Sequence, residues 1–212
     1  MVRLFVALEL DRFQKSTLDL VRGGVESARW QRDNQLHLTL AFIGDVATSK
    51  LDDIDVALSG IRFDPFDLAL FGVGSFGKPG RPKSLWAGVQ DAGPVAHLHS
   101  KILWALERVG IATDRRRYKP HVTIARFPRH HIKARTADWL TNHATLKTPA
   151  STVSHFTLFS SGLSHDGAHY FSEARYGQMG RLDAEFCDQD IDEIHDGLPD
   201  SSDFQWHGSQ NA

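Results

Sequence analysis

His37-Leu38-Thr39-Leu40-Ala41-Phe42-Ile43 is echoed 84 residues later by His121-Val122-Thr123-Ile124-Ala125-Arg126-Phe127. Both stretches read His, apolar, Thr, apolar, Ala, any residue, apolar. Each has the pattern of a short strand, the first over 36–43 with a stop at Gly44, the second over 121–127. On a strand, residues i and i+2 share a face. His37 and Thr39 therefore point one way while Leu38 and Leu40 point to a core, and His121 and Thr123 repeat the arrangement. Using the unit twice implies two similar half-units, each placing one strand at a shared cleft. Two imidazoles and two hydroxyls around a small anion can move protons and hold phosphoryl oxygens without a metal.

The short pattern is not specific by itself. With 12 His in the chain, His-x-Thr is expected about 0.6 times by chance, yet it occurs four times. His143-Ala144-Thr145 falls at an expected helix end, where i and i+2 do not share a face. His155-Phe156-Thr157 falls on an expected strand and is the stronger decoy. The longer match, through the Ala and the following apolar residue, sets His37 and His121 apart from both. The competing reading is of ordinary strand histidines and threonines at a sheet surface.

The remaining sequence reads as strands and helices in irregular alternation. Strands are expected over 4–10, 66–73, 85–89, 152–159 and 169–176, with a turn over 162–167. Helices are expected over 11–28 with Asp11 as N-cap, from Thr48 or Ser49 to Ser59, over 95–109, and over 132–143. A glycine-rich loop is expected over 74–83. It is not a phosphate-binding P-loop, because Gly77-Lys78 is followed by Pro79. This irregular order favours an α+β fold with largely antiparallel sheets over a doubly wound one.

Composition narrows the class. The chain has 212 residues, 41% hydrophobic and 24% charged, which suits a single globular domain with a substantial core. No apolar run approaches the roughly 20 residues that cross a bilayer, so no membrane association is expected. The opening Met1 to Asp11 is too short and too acidic for a signal peptide. The lone cysteine, Cys187, can form neither an internal disulfide nor a Cys-based zinc site. A reducing cytoplasm is the expected location. Charge is divided unevenly. Nine of the 26 acidic residues and no Lys or Arg lie in 183–212, leaving 24 bases against 17 acids in 1–182. We expect one bilobal catalytic domain over 1–182 and an acidic, disordered tail over 183–212. A mildly basic body suits an anionic partner such as RNA.

These residues carry a family resemblance. Arg29-Trp30, Leu36-His37-Leu38-Thr39-Leu40 and Phe42-Ile43-Gly44 resemble the first motif region of the RNA 2′,3′-cyclic phosphodiesterases, also called 2′-5′ RNA ligases, of the 2H phosphoesterase superfamily. Pro120-His121-Val122-Thr123-Ile124-Ala125-Arg126 resembles their second motif. The likeness extends to Arg3–Leu8, Leu85–Val89, and Phe156 and Leu158 with Ser161 and Leu163, covering about residues 1–176. It implies a bilobal fold with pseudo-twofold symmetry and the two motifs meeting in a central cleft. It also implies metal-independent hydrolysis of a terminal RNA 2′,3′-cyclic phosphate to a 2′-phosphate. A monomer that needs no cofactor is the expectation for the chain. His37 would be proton donor to the leaving 3′ oxygen and His121 proton acceptor from water. The family often has Arg where this chain has Ala41, so one basic contact is absent.

Other residues fit this scheme as candidates. Thr39 and Thr123 would donate hydrogen bonds to non-bridging oxygens. Arg126 could add a charge-assisted contact. Five residues past His121, it starts on the opposite strand face, so a twist or bulge must redirect it; a surface Arg is the competing reading. Phe76 or Trp86 could stack on the terminal base, and a core role is favoured for Trp86. Lys78, Arg81, Lys83 and Arg115 to Arg117 could hold the RNA backbone. His97 and His99 diverge on a helix, and neither they nor His130-His131 make a convincing metal site. Three alternatives stand. The same site could act on 2′-5′ linkages, by cleavage or reversible ligation. The protein could be an RNA-binding module without catalysis, or a hydrolase using its many histidines to bind a metal.

Overall fold

Strands that alternate apolar with polar residues, as His37–Leu40 and His121–Ile124 do, need cover on their apolar face. The computed structural model, which describes residues 1–78, 80–113, 116–128, 135–164 and 167–182, shows how this cover is provided. In chain order the strands are β1 (Val2–Glu9), β2 (Arg29–Trp30), β3 (His37–Val46), β4 (Phe66–Leu68), β5 (Leu70–Lys78), β6 (Arg81–Val89), β7 (His121–Arg126), β8 (Ser151–Val153), β9 (His155–Ser164), β10 (Gly167–Gly177) and β11 (Gly180–Leu182). The helices are α1 (Arg12–Asp19), α2 (Leu51–Ser59), α3 (Gly93–Arg108) and α4 (Ala137–Asn142). The main sheet runs β11-β10-β9-β1-β3-β7-β6-β5, β2 joins it on β7, and β4 and β8 pair separately. The neighbours from β10 through to β5 are antiparallel. The fold is α+β, as expected.

Two half-units are visible in the pairing. β1, α1 and β3 form one strand–helix–strand unit, and β6, α3 and β7 form the other, with β1/β3 and β6/β7 each antiparallel neighbours. The motif strands of the two halves, β3 and β7, meet on a single residue pair, Leu38 opposite Val122. These are the same position of the two motifs, so a pseudo-twofold axis passes through that pair. Leu38, Leu40, Val122 and Ile124 are buried in one core with Leu18 of α1, Ile54 and Leu58 of α2, and Val95, Leu98, Ile102 and Leu106 of α3. The helices cover this face. The opposite face carries the His and Thr residues.

Several element boundaries differ from expectation. The first helix stops at Asp19 instead of Ala28. Asp11 does cap it, in a capping box with Gln14. Beyond it Gly23, Gly24 and Ser27 all adopt positive φ, which no helix tolerates. β3 runs through Gly44, at φ +84°, to Val46. A break at Ala69 divides the expected 66–73 strand into β4 and β5. Only Ala137–Asn142 of the expected 132–143 helix is helical among the described residues. Arg115, His130, His131, Cys187 and the whole acidic stretch 183–212 lie outside them.

The expected loop over 74–83 is a hairpin. β5 and β6 pair from Leu70↔Val89 to Lys78↔Arg81. A Cβ added at Gly74 would lie 2.1 Å from a Trp86 ring carbon, so the glycine leaves room for the indole. Gly74→Ala is expected to cost about 2 kcal/mol or more, read as a fall in Tm of at least about 4 °C. An unchanged Tm would show that the indole moves aside freely.

Candidate active site

The Leu38–Val122 pair aligns the motifs antiparallel, so His37 and Thr39 of β3 flank His121 and Thr123 of β7 on one face. All four side chains are partly exposed, while Leu38 and Val122 between them are fully buried. This places the sequence-derived His and Thr pairs together.

Arg126 joins them through a backbone irregularity. Along β6, Trp86 pairs with Thr123 but Leu85 pairs with Ala125, leaving Ile124 as an extra residue on β7. Such a bulge shifts the side-chain alternation by one. Arg126, opposite Ser84, therefore shares a face with Thr123, opposite Trp86. Its charge lowers the basicity of both His37 and His121. β3 has the same irregularity at the same motif position: Ala7 pairs with Thr39 and Val6 with Ala41, leaving out Leu40. Phe42 is thus the counterpart of Arg126, and it is 63% exposed. Ala41 is buried behind the bulge.

Each histidine is held by the backbone two residues before it. His121 Nδ1 donates to the Lys119 carbonyl at 2.7 Å, which leaves Nε2 as the free base. His37 makes the corresponding backbone hydrogen bond to Gln35. The Gln35 side chain is itself fixed, donating to the Ala168 carbonyl of β10 at 2.9 Å.

The two rings have different surroundings. His37 lies among Phe5, Tyr170 and Phe159, with ring centroids at 4.9, 5.2 and 6.4 Å. Burial in this aromatic wall is the main reason its pKa falls from 6.5 to about 4, with the Arg126 and His121 charges adding to the effect and the Gln35 hydrogen bond opposing it. His121 meets the edge of Phe76 at 4.8 Å, with Trp86 at 6.2 Å. Its basicity is also lowered, first by burial and then by Arg126 and Lys119, against the hydrogen bond to the Lys119 carbonyl. Lys119 Nζ sits 4.0 Å from the Trp86 ring centroid. Trp86 is buried as a core residue, and Phe76 is half-buried beside it.

The His37 shift has a stability consequence. Between pH 6.5 and about 4 the unfolded histidine is protonated and the folded one is not. Stability is therefore present above pH 6.5 and lost as pH falls through that window, by at most about 3 kcal/mol and less for the ring's residual exposure. Melting curves from pH 7 to 4.5 should show a shallower decline for His37→Gln than for wild type; equal slopes would contradict this assignment.

The other candidates separate cleanly. Lys78, Arg81 and Lys83 are exposed on the β5–β6 hairpin, and Arg116 and Arg117 are exposed ahead of β7. In the His155 decoy, the Thr157 hydroxyl is buried and donates to Glu9 Oε1 at 2.8 Å, an oxygen that Arg175 also engages. His143 ends α4. His97 is exposed, while His99 turns inward to the Leu40 carbonyl. Among the described residues no three His, Cys, Asp or Glu side chains group to hold a metal ion, and no helix is long and apolar enough to cross a membrane. A groove of about 840 Å³ between α2 and α3, lined by Arg62, Lys101 and Trp104, contains none of the paired residues.

Sequence reasoning does not find Lys119, Phe42 or the wall of Phe5, Phe159 and Tyr170. The wall comes from three strands that are neighbours only once the sheet is assembled. Arg29 enters the sequence argument only as part of a motif; it lies directly opposite Arg126 on β2.

A family model described as the 2′-5′ RNA ligase superfamily matches residues 12–164. An Archaeoglobus fulgidus protein named RNA 2′,3′-cyclic phosphodiesterase is 30% identical over 172 residues, covering 80% of this chain and 96% of its own length. A crystal structure from Thermus thermophilus matches with a TM-score of 0.70 at 24% identity, over 84% of this chain and 98% of that one. The apo structure of E. coli LigT matches with a TM-score of 0.65 at 24% identity, over 83% and 96%. These two likenesses speak for the fold. With its two histidine-threonine strands paired at the centre of the sheet, the chain belongs to the 2′-5′ RNA ligase superfamily.

Proposed function

We propose that this protein hydrolyses RNA 2′,3′-cyclic phosphate ends to 2′-phosphates, using His37 and His121 and no metal. The observation that carries the reading is the Leu38–Val122 pairing, which sets both His-x-Thr pairs on one face with Arg126 beside them. The name of the Archaeoglobus fulgidus relative supports the substrate class.

The chemistry needs one proton taken and one given. His121, with Nδ1 committed to Lys119, offers Nε2 to a water. The water oxygen attacks phosphorus as the bond to the ribose 3′ oxygen breaks, and His37 gives that oxygen its proton. Thr39 and Thr123 donate to the non-bridging oxygens, and Arg126 offsets their charge. Phe76, edge-on to His121, is the stacking surface for the terminal base.

Burial opposes protonation of His37 before substrate binds. A bound phosphate supplies the missing opposite charge and raises its pKa. The family resemblance sets the order of the two roles, and the response of each histidine variant to a better leaving group tests it.

The family model's description gives 2′-5′ linkages a place as a second substrate of the same site. Offered RNA with a cyclic phosphate end and a 2′-5′-linked oligonucleotide together, the enzyme is expected to consume the cyclic phosphate first. Consumption of the 2′-5′ linkage alone would replace the proposed substrate, and binding of both without turnover would make the protein a binding module.

A further inference from the structure

The two bulges are identical in register but held by different means. On β7, the carbonyl of the extra residue Ile124 accepts from the Gln31 backbone N–H at 2.9 Å, just beyond β2. β2 thus takes over as the partner of β7 where β3 diverges. On β3, side chains do this work. The carbonyl of the extra residue Leu40 accepts from His99 Nδ1 at 2.6 Å, and the Thr39 carbonyl accepts from the Tyr118 hydroxyl at 2.9 Å. The His99 and Tyr118 rings stack at 3.7 Å with planes 9° apart, so each fixes the other. Burial keeps the Tyr118 hydroxyl protonated and able to donate.

Tyr118 precedes Lys119, whose carbonyl sets the His121 tautomer. One short path therefore runs from the Thr39 carbonyl through Tyr118 to the Lys119 carbonyl and His121. It ties one half-site to the other, alongside the Leu38–Val122 pair and the pairing of β2 with β7. From this geometry we infer that Tyr118 and His99 are positioning residues: they fix the β3 bulge and, through it, the orientation of His121 relative to Thr39. Both act through backbone carbonyls and not on the substrate. The kinetic consequence rests on the proposed hydrolysis; the structural one does not.

Tyr118→Phe removes only the hydroxyl and keeps the ring on His99. On cyclic-phosphate RNA it is expected to lower kcat about tenfold with KM changed less than about twofold. In long-range 15N–1H spectra, His121 should be the Nδ1–H tautomer in wild type and shift toward a mixture in the variant. This readout needs no turnover, so it tests the positioning role even if the proposed substrate is wrong. Unchanged His121 signals would overturn the inference, whether or not kcat falls. If Tyr118→Phe fails to fold, His99→Asn and His99→Ala decide. The Asn amide stands where Nδ1 stood and can donate to Leu40, so it should retain the wild-type His121 tautomer while Ala loses it. Equal behaviour of those two variants would also overturn the inference.

Discussion

His121→Ala is expected to lower kcat for opening an RNA 2′,3′-cyclic phosphate by about a thousandfold or more, and His37→Ala by a similar amount. The two losses should respond differently to the leaving group. If His37 protonates the departing 3′ oxygen, a phosphodiester with an aryloxide leaving group no longer needs that proton. His37→Ala should then recover most of its activity on the aryl ester, and His121→Ala should not, because water must still be deprotonated. The reverse pattern would exchange the roles and agree with the deeper burial of His37, whose pKa of about 4 disfavours the protonated form before substrate binds. Equal recovery of both variants would sink the two-histidine mechanism.

The second large effect concerns Arg126. Replacing it by Gln removes a full charge from beside both imidazoles and is expected to lower kcat/KM about a hundredfold. The pH profile should move as well. Burial is the main reason both histidines lie below their ordinary basicity, and the charge of Arg126 lowers them further. Its loss lets both rise, so both limbs of the kcat/KM profile should shift to higher pH. Arg126→Lys restores the charge but not the planar fork, so it should recover the pH profile and only part of the rate. A variant with a wild-type rate and profile would return Arg126 to the surface role that is its competing reading.

That residue also shows what the sequence can and cannot reveal. The His and Thr placements follow from the two-residue period of a strand, which holds from His37 to Thr39 and from His121 to Thr123. The period then fails in both motifs at the same place, with Leu40-Ala41 and Ile124-Ala125 buried consecutively. A bulge has no fixed composition, so strict alternation puts both Arg126 and Ala41 on the wrong face. The 74–83 segment misleads for a related reason. Its glycines resemble turn punctuation, but Gly74 serves the Trp86 indole and the strand continues. Helix α1 reads too long because the apolar spacing of Leu18, Val21 and Val25 persists through Gly23-Gly24, where the backbone turns to positive φ. Tyr118 and His99 give no signal: their partners are backbone carbonyls, which any sequence carries.

The most direct test of the central claim is a single reaction. RNA ending in a 2′,3′-cyclic phosphate is incubated with the full-length protein in excess EDTA and 18O-labelled water, and the product is analysed by mass and by position of the phosphate. We predict complete conversion to a 2′-phosphate carrying one solvent oxygen on phosphorus. A 3′-phosphate product, or activity abolished by the chelator and restored by a divalent metal, would contradict the paired-histidine account.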